Sequence, residues 1–342
     1  MTRRLHPKAR RRPGPGALKV GHHERPLFSV VICTRNRGAS VVPAARSVLA
    51  TRHPSFELLV VDQSDDASTQ EALAPLLSAG GRDPLLRFFH LSRPGKSNAL
   101  NVALRHARGR FLALTDDDCE CDSEWLRHVE RAFERDLTLG CVFGEVRAAP
   151  HDSAIHSVSI NHIPAPLTIR AVRDWLKMPG PRNFGIGAAM VLPAAALDAV
   201  GGWDPCIGPG TAFGSGDDHD LVVRLLLHGY GVHLCPEAQV VHHGLRPRQQ
   251  GAAEVERIGR GFGACFAKYL RCRVVYYGSL RMLAFFLRRA AVRLFKSERG
   301  LSFVRGWACG FGRGLFHRLD HAHHLYVGGQ VPRTATEAAP RT

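Results

Sequence analysis

Gly109-Arg-Phe-Leu-Ala-Leu-Thr-Asp-Asp-Asp118 runs an apolar segment, Phe111 to Leu114, straight into three consecutive acids. Four apolar residues in a row at this length read as a short buried strand. Such a strand cannot carry three carboxylates into the core, because they repel one another and resist desolvation. Asp116, Asp117 and Asp118 therefore belong at the strand's exit, either as a solvated acidic turn or around a cation. In an open α/β sheet that exit is where ligands bind. The cation that suits an all-oxygen cluster is hard and divalent, Mg²⁺ or Mn²⁺.

The segments upstream follow the same plan. Phe28-Ser-Val-Val-Ile-Cys33 and Phe56-Glu-Leu-Leu-Val-Val61 are further buried strands, and Leu85-Leu-Arg-Phe-Phe-His90 is a third. Between them lie helical patterns through Val41, Ala45, Val48 and Leu49, through Leu73, Leu76 and Leu77, and from Lys96 to Arg108. This β-α-β-α-β-α-β alternation predicts an α/β fold with a mostly parallel, Rossmann-like sheet and helices on both faces. Parallel strands bring their ends to one edge, so Thr34–Arg37, Asp62–Asp66 and Asp116–Asp118 converge there. A lone acid after a strand is usually a helix cap, a reading that suits Asp65, Asp66 or Ser68 better than Asp62.

The bulk numbers narrow the class. The chain has 342 residues, 46 Lys and Arg against 30 acids, and a net charge of +16, much of it near the two ends. An anionic partner is implied. A protein built to hold nucleic acid would not need acids gathered at three strand ends, so nucleic acid is not the expected partner. Nine cysteines occur without a CxxC pair, which fits neither a zinc site nor a disulfide framework and suits reduced thiols in the cytoplasm. His151, His156 and His162 are spaced by five and six, which matches no common metal site. No secretory leader and no membrane-spanning apolar run are expected.

Downstream, Trp125 to Phe133 reads as a helix and Cys141 to Val146 as a strand, with a further helix over Ile169–Leu176 inside a Pro- and His-rich stretch. Asn183-Phe-Gly-Ile-Gly-Ala-Ala-Met190, Gly201-Gly-Trp-Asp-Pro205 and Gly214-Ser-Gly-Asp-Asp-His-Asp-Leu221 are glycine-dense and permit close backbone approach to a ligand. Val232–Pro236 and Ala238–His243 read as a pair of short strands.

In order and spacing, Val30-Val-Ile-Cys-Thr-Arg-Asn-Arg37, Val60-Val-Asp62, Gly95-Lys-Ser-Asn-Ala-Leu-Asn101 and Ala107 through Asp118 resemble the inverting family 2 glycosyltransferases, over roughly residues 27–245. The resemblance implies the A-type nucleotide-diphospho-sugar transferase fold and transfer of a single sugar from a nucleotide-diphosphate sugar to a saccharide or lipid-linked acceptor. On that likeness Thr34 and Arg35 border the nucleotide, Asp62 accepts a hydrogen bond from base or ribose, and Lys96 and Asn101 line the nucleotide side. Asp116 faces ribose or metal and Asp118 binds the Mn²⁺ or Mg²⁺ that bridges the diphosphate. Asp117 is a mild departure that could share the metal. Asp218 takes the place of the general base, and Asp217 stands where the family usually has Glu. The bland alternative for Asp217, Asp218 and Asp220 is that acids favour a helix N-terminus. His242, with His243 second, is the expected metal-side histidine, and Trp203 suits an acceptor-sugar platform or a buried core position. The chain lacks a Gln-x-x-Arg-Trp motif, which argues against a processive synthase.

The expected organisation is a basic tail over 1–25, a catalytic domain over 26–245, a basic amphipathic helical extension over 246–329 and a tail over 330–342. In the extension, Ile258–Tyr269, Val274–Phe295 and Leu301–Phe316 read as helices, and Leu280 to Phe295 is edged with arginine in the manner of a helix lying in an anionic membrane interface. Packing on the catalytic domain would give the same pattern. Glycines 306, 310, 312 and 314 follow no strand and make no dinucleotide fingerprint. Cytoplasmic placement, peripheral on the inner membrane face, follows from these readings.

Overall fold

The structure, a computed structural model, describes residues 26–78, 85–177, 185–247, 251–274 and 298–328, with 280, 283–285, 287–288 and 336–337 besides. The first four strands are β1 (Phe28–Thr34), β2 (Phe56–Asp62), β3 (Leu86–His90) and β4 (Phe111–Asp116). They lie parallel in the spatial order β3-β2-β1-β4. The acids of 116–118 then lead into β5 (Cys119–Cys121), and β6 (Leu139–Ala148) follows. Two short strands, β7 (His156–Ser157) and β8 (Leu167–Ile169), precede β9 (Met190–Pro193), which runs antiparallel between β4 and β6. The last long strand, β10 (Gly231–His242), lies parallel to β6 and carries β5 antiparallel on its far side.

Alternation along the strands explains the two-sided core. Successive side chains point to opposite faces, so Val31, Leu59, Val61, Leu112 and Leu114 enter one core and Val30, Ile32, Leu58, Val60 and Ala113 the other. The second core is closed by α1 (Val42–Leu49) and α4 (Trp125–Arg135), with α2 (Ser68–Ser78) adding Leu73. The first is closed by α3 (Lys96–His106), α5 (Ala194–Val200) and α6 (Asp217–Leu227). It also receives Phe262, Ala264, Cys265 and Tyr269 of α7 (Gly251–Arg271) and Phe303 of α8 (Glu298–Phe316), so α7 packs on the sheet's own core.

Glycines let α7 and α8 meet backbone to backbone. A methyl group at Gly259 would overlap the Phe303 carbonyl, one at Gly306 the Glu256 carbonyl, and one at Gly310 the Arg260 carbonyl. Gly306 and Gly310, part of the glycine run that makes no nucleotide fingerprint, are thus helix contacts. A short antiparallel pair, β11 (Arg246–Pro247) on β7, borders the start of α7, and β12 (Leu319–Asp320) with β13 (Leu325–Tyr326) follows α8.

Three details differ from the sequence reading. β10 is one strand and not two: its pairing with β6 skips from Cys235 to Gln239, because Pro236 has no N–H to give the ladder and the residues after it bulge out. The helix expected over 169–176 is instead β8 plus a 3-10 turn, Val172–Lys177, whose start is tied by the Asp174 carboxylate accepting the N–H groups of Arg170 and Ala171. In the expected C-terminal tail, β14 (Thr336–Glu337) pairs with His90 and Phe89 on the outer edge of β3. The Val274–Phe295 helix falls mostly outside the described residues, as does the 1–25 tail.

Candidate active site

Strand register assembles the cleft. Thr34 sits opposite Asp62 and Cys33 opposite Asp116, so β1, β2 and β4 end level on one edge. The chain reverses at Asp117–Asp118, and β5 pairs His242 of β10 with Cys119. That register brings His242 Nε2 to 3.0 Å from Asp118 Oδ1. The result is a cleft of about 430 Å³ whose walls include Thr34, Arg35, Lys96, Asp116, Asp117, Asp118, Asp217, Asp218 and His242.

At one end, Asp116, Asp118, Cys119 and His242 present ligand-type atoms within 4.8 Å of one another. His242 Nδ1 donates to the Ser159 carbonyl at 2.8 Å, which can only accept, and so leaves Nε2 to face Asp118. Fixing the second ring nitrogen in this way orients a histidine ligand. Burial disfavours the imidazolium, but Asp118 and the Ser159 carbonyl outweigh it and raise the His242 pKa. Burial also works against the Asp118 carboxylate, and His242, Arg37 and Lys96 together bring its pKa below the ordinary value. Burial pushes the Cys119 thiol far up, so it stays protonated and is a poor ligand. Two carboxylates and an imidazole fit Mn²⁺ or Mg²⁺. Asp117 turns the other way: Thr34 Oγ1 donates to it at 2.6 Å and Arg37 lies 3.4 Å off, with burial raising its pKa.

At the other end, α6 begins at Gly216, whose φ of +94° is a left-handed conformation that favours glycine. This start aims Asp218 at Gly187. The Gly187 N–H donates to Asp218 Oδ2 at 2.9 Å, and a methyl group on Gly187 would press to 3.0 Å from Oδ1. Oδ1 itself is buried and has no hydrogen-bond partner among the described residues. Burial above all, then the neighbouring Asp217 charge, raises the Asp218 pKa to about 7. A carboxylate that titrates near neutrality and keeps one free oxygen is equipped to accept a proton. Lys96 joins the two ends. It pairs with Asp116, and although burial opposes its charge, Asp116, Asp218 and Asp217 hold its pKa well above the usual value. The loop before α6 is stitched to α3 by Lys96 N–H on the Pro209 carbonyl at 2.9 Å and by Ser97 Oγ on the Ile207 carbonyl.

The profile of glycosyl transferase family 2 matches residues 29–191, the span from β1 through the first residues of β9. Those residues are a glycosyl transferase family 2 domain. The fold is the A-type glycosyltransferase fold, shared with two solved structures. One is the mannosyltransferase PcManGT from Pyrobaculum calidifontis in complex with GDP-Man and Mn²⁺, with a TM-score of 0.56, 19% identity, and coverage of 85% of this chain and 88% of that one. The other is S. aureus TarS 1-349 in complex with UDP-GlcNAc, with a TM-score of 0.54, 17% identity, and coverage of 84% and 80%. A beta-monoglucosyldiacylglycerol synthase of Trichormus variabilis is 25% identical over 214 residues, which are 60% of this chain and 42% of that protein. The chain therefore spans under half the length of this relative.

Within the family 2 fold, several expected residues stand elsewhere. Trp203 is fully buried beneath the loop, so its ring is no open platform for a sugar. Asn101 is committed to the same loop: it donates to the Trp203 carbonyl and accepts from the Trp203 N–H, both at 2.8 Å. Asp62 is buried with Oδ1 accepting the Ser64 hydroxyl and N–H, and the cleft wall beside it is Gln63. His243 pairs with Glu120 outside the cluster. Asp220 and Arg224 pair with each other at 3.0 Å, both fully buried. Lys268 of α7 lies between Asp220 at 2.5 Å and Asp204 at 2.7 Å.

Arg37, expected at this edge with Thr34, lies in the Thr34–Gly38 turn and donates to Asp118 at 2.9 Å. Three further charged cleft residues were missed by the sequence reading: Arg246, Glu254 and Arg257. They lie past residue 245, where the likeness that guided the reading stops. An acid and an arginine at i and i+3 near the start of α7 were the available signal.

Proposed function

We propose that the protein is an inverting, metal-dependent glycosyltransferase that moves one sugar from a nucleotide-diphosphate sugar to an acceptor hydroxyl. The observation that carries this reading is the free, buried Oδ1 of Asp218 in the cleft whose other end gathers Asp116, Asp118 and His242. Asp218 takes the proton of the acceptor hydroxyl as its oxygen attacks the anomeric carbon from the face opposite the leaving diphosphate. A positioned carboxylate contributes about 10²- to 10⁴-fold in this role. Asp116, Asp118 and His242 would hold the Mn²⁺ or Mg²⁺, which supplies Lewis-acid neutralisation of the charge on the diphosphate. Lys96 balances Asp116, Asp217 and Asp218, keeping these three acids from repelling the donor's diphosphate. Thr34 and Arg35 border the nucleotide from the β1 end.

The acceptor is a saccharide or a lipid-linked sugar of the cell surface, and the protein works on the cytoplasmic membrane face. This part leans on the excess of basic residues and on the likeness to a glycolipid synthase. It also leans on apolar residues exposed in the C-terminal region, among them Leu301 and Phe316. Among the described residues no helix is long and apolar enough to cross a membrane.

The deciding experiment is a thermal-shift screen of the full chain against uridine, guanosine and thymidine diphosphates and their sugars, with and without Mn²⁺. It is followed by NMR of the product's anomeric configuration. Metal-dependent stabilisation by one nucleotide and an inverted product support the reading. A folded protein that no nucleotide stabilises at millimolar concentration, or a retained configuration, removes it.

A further inference from the structure

Two guanidinium groups that the reaction above does not use line the cleft, Arg257 near the acids of α6 and Arg246 joined to it through one carboxylate. Arg257, on α7, donates from Nε at 3.0 Å and Nη2 at 2.5 Å to Glu254 one turn earlier. Its Nη1 donates at 2.5 Å to the Gly214 carbonyl, four residues before Asp218. Arg246 donates from Nη1 to the same Glu254 at 2.9 Å. All three side chains line the cleft, and Arg257 and Arg246 keep 31% and 52% of their surfaces open. Two cations thus share one carboxylate, so these three side chains together carry one net positive charge. Burial disfavours the Glu254 charge, but Arg257 and then Arg246 hold its pKa below the ordinary value, so it stays ionised and offsets one of the two positive charges.

A different arginine faces the acids of the metal end: Arg37, bonded to Asp118 and close to Asp117. Burial raises the Asp217 pKa, and Arg257 is among the groups that act through space against that rise, which puts its charge beside the acids of α6. Its guanidinium is preorganised by α7 and by the Gly214 carbonyl. Arg257 therefore has little side-chain freedom left to lose on binding. Planar guanidinium forks recognise phosphate and carboxylate in bidentate fashion.

We propose that Arg257, with Arg246, forms an anion subsite on the general-base side of the cleft, and that the acceptor carries a phosphate or carboxylate near the hydroxyl it presents to Asp218. The inference rests on the reading of this cleft as a transferase site. Anchoring the acceptor's anion there holds its hydroxyl against Asp218, while Glu254 tempers the charge so that the product can leave.

The test is calorimetric titration of inorganic phosphate into the full chain already saturated with Mn²⁺ and the nucleoside diphosphate that stabilises it. The donor's own diphosphate positions are then filled. The expected result is saturable phosphate binding to the loaded protein, weakened at least tenfold in Arg257→Met, with the nucleotide's affinity changed less than twofold. Glu254→Gln supplies the control of opposite sign. Removing the shared carboxylate should tighten phosphate severalfold, which a misfolded variant cannot do. Phosphate that binds only to nucleotide-free protein, or whose affinity is the same in both variants, overturns the subsite. So does loss of nucleotide binding in Arg257→Met with Glu254→Gln unchanged, since that assigns Arg257 to the donor. Failure of any nucleotide to bind wild-type protein is a separate outcome and falls on the transferase reading itself.

Discussion

Replacing Asp218 by Asn should cripple turnover and stabilise the fold, and the two effects should share one pH dependence. The carboxylate's pKa rises from an ordinary 3.8 to about 7 on folding. A rise of about three pH units, at 1.36 kcal/mol each, is a penalty of about 4 kcal/mol on the ionised form, part of it shared with Asp217. The sign follows from proton uptake. The folded protein holds this proton more tightly than the unfolded chain, so the native state loses stability as pH climbs from about 4 to about 7. Asn keeps an oxygen for the Gly187 N–H and carries no charge. Asp218→Asn should therefore match wild type near pH 4 and exceed it by about 1–4 kcal/mol at pH 8 in urea unfolding. Its kcat should fall by about 10²- to 10⁴-fold with nucleotide affinity intact. Wild-type kcat/KM should drop tenfold per pH unit below about 7, because the base must be ionised to act. A variant that keeps a third of wild-type activity, or whose stability advantage does not grow with pH, would refute the assignment of a strained carboxylate base.

Other changes separate the parts of the site from the parts of the scaffold. Nucleotide with Mn²⁺ at a hundred times its dissociation constant should add about 2.7 kcal/mol to wild-type stability, and Asp118→Ala or His242→Ala should abolish the metal-dependent share in a thermal-shift assay. Lys268→Met leaves Asp204 and Asp220 facing each other in the core without their shared cation, and should cost about 3–5 kcal/mol in denaturant unfolding. Gly310→Ala should cost about 1–3 kcal/mol by pushing α8 off the Arg260 carbonyl. Gly312→Ala, with open space at the same helix, should instead stabilise by about 0.5–1 kcal/mol. Trp203→Ala should destabilise by about 3–5 kcal/mol without changing the acceptor KM of the protein that remains folded.

The sheet was legible because parallel strands buried on both faces leave near-continuous apolar runs, and β1, β2 and β4 are such runs. Their level ends could be foreseen for the same reason, and that placed Thr34 and Asp116–Asp118 on one edge. Asp62 failed as a cleft residue because a one-residue step along an extended strand turns a side chain over: Gln63 took the wall and Asp62 the interior with Ser64. Trp203 and Asn101 failed because apolar or amide character alone does not say which side of a loop faces out. Their fates are coupled by two hydrogen bonds spanning 102 residues of sequence, a pairing no local pattern encodes. β10 looked broken in two because a proline within a strand pattern signals an end, and only its partner β6 shows that the ladder resumes three residues later.

The C-terminal helices were legible as helices and illegible as part of the site. Periodicity reports that one face of α7 is apolar, but not that Lys268 on that face is fully buried between Asp204 and Asp220. A lysine among apolar residues reads as a solvated edge until its partners are located. Here the partners sit on the two loop-and-helix segments that flank the cleft: Asp204 follows Trp203, and Asp220 stands two residues past Asp218. Tyr269 Oη donates to Asp220 as well, at 2.8 Å. The charges that hold α7 in the core therefore also fix the rotation of α6 about its axis, and with it the direction of Asp218. The same helix carries Glu254 and Arg257 to the cleft rim. Residues beyond the matched family segment thus orient Asp218 and line the cleft beside it, and a pattern confined to residues 29–191 does not reach them.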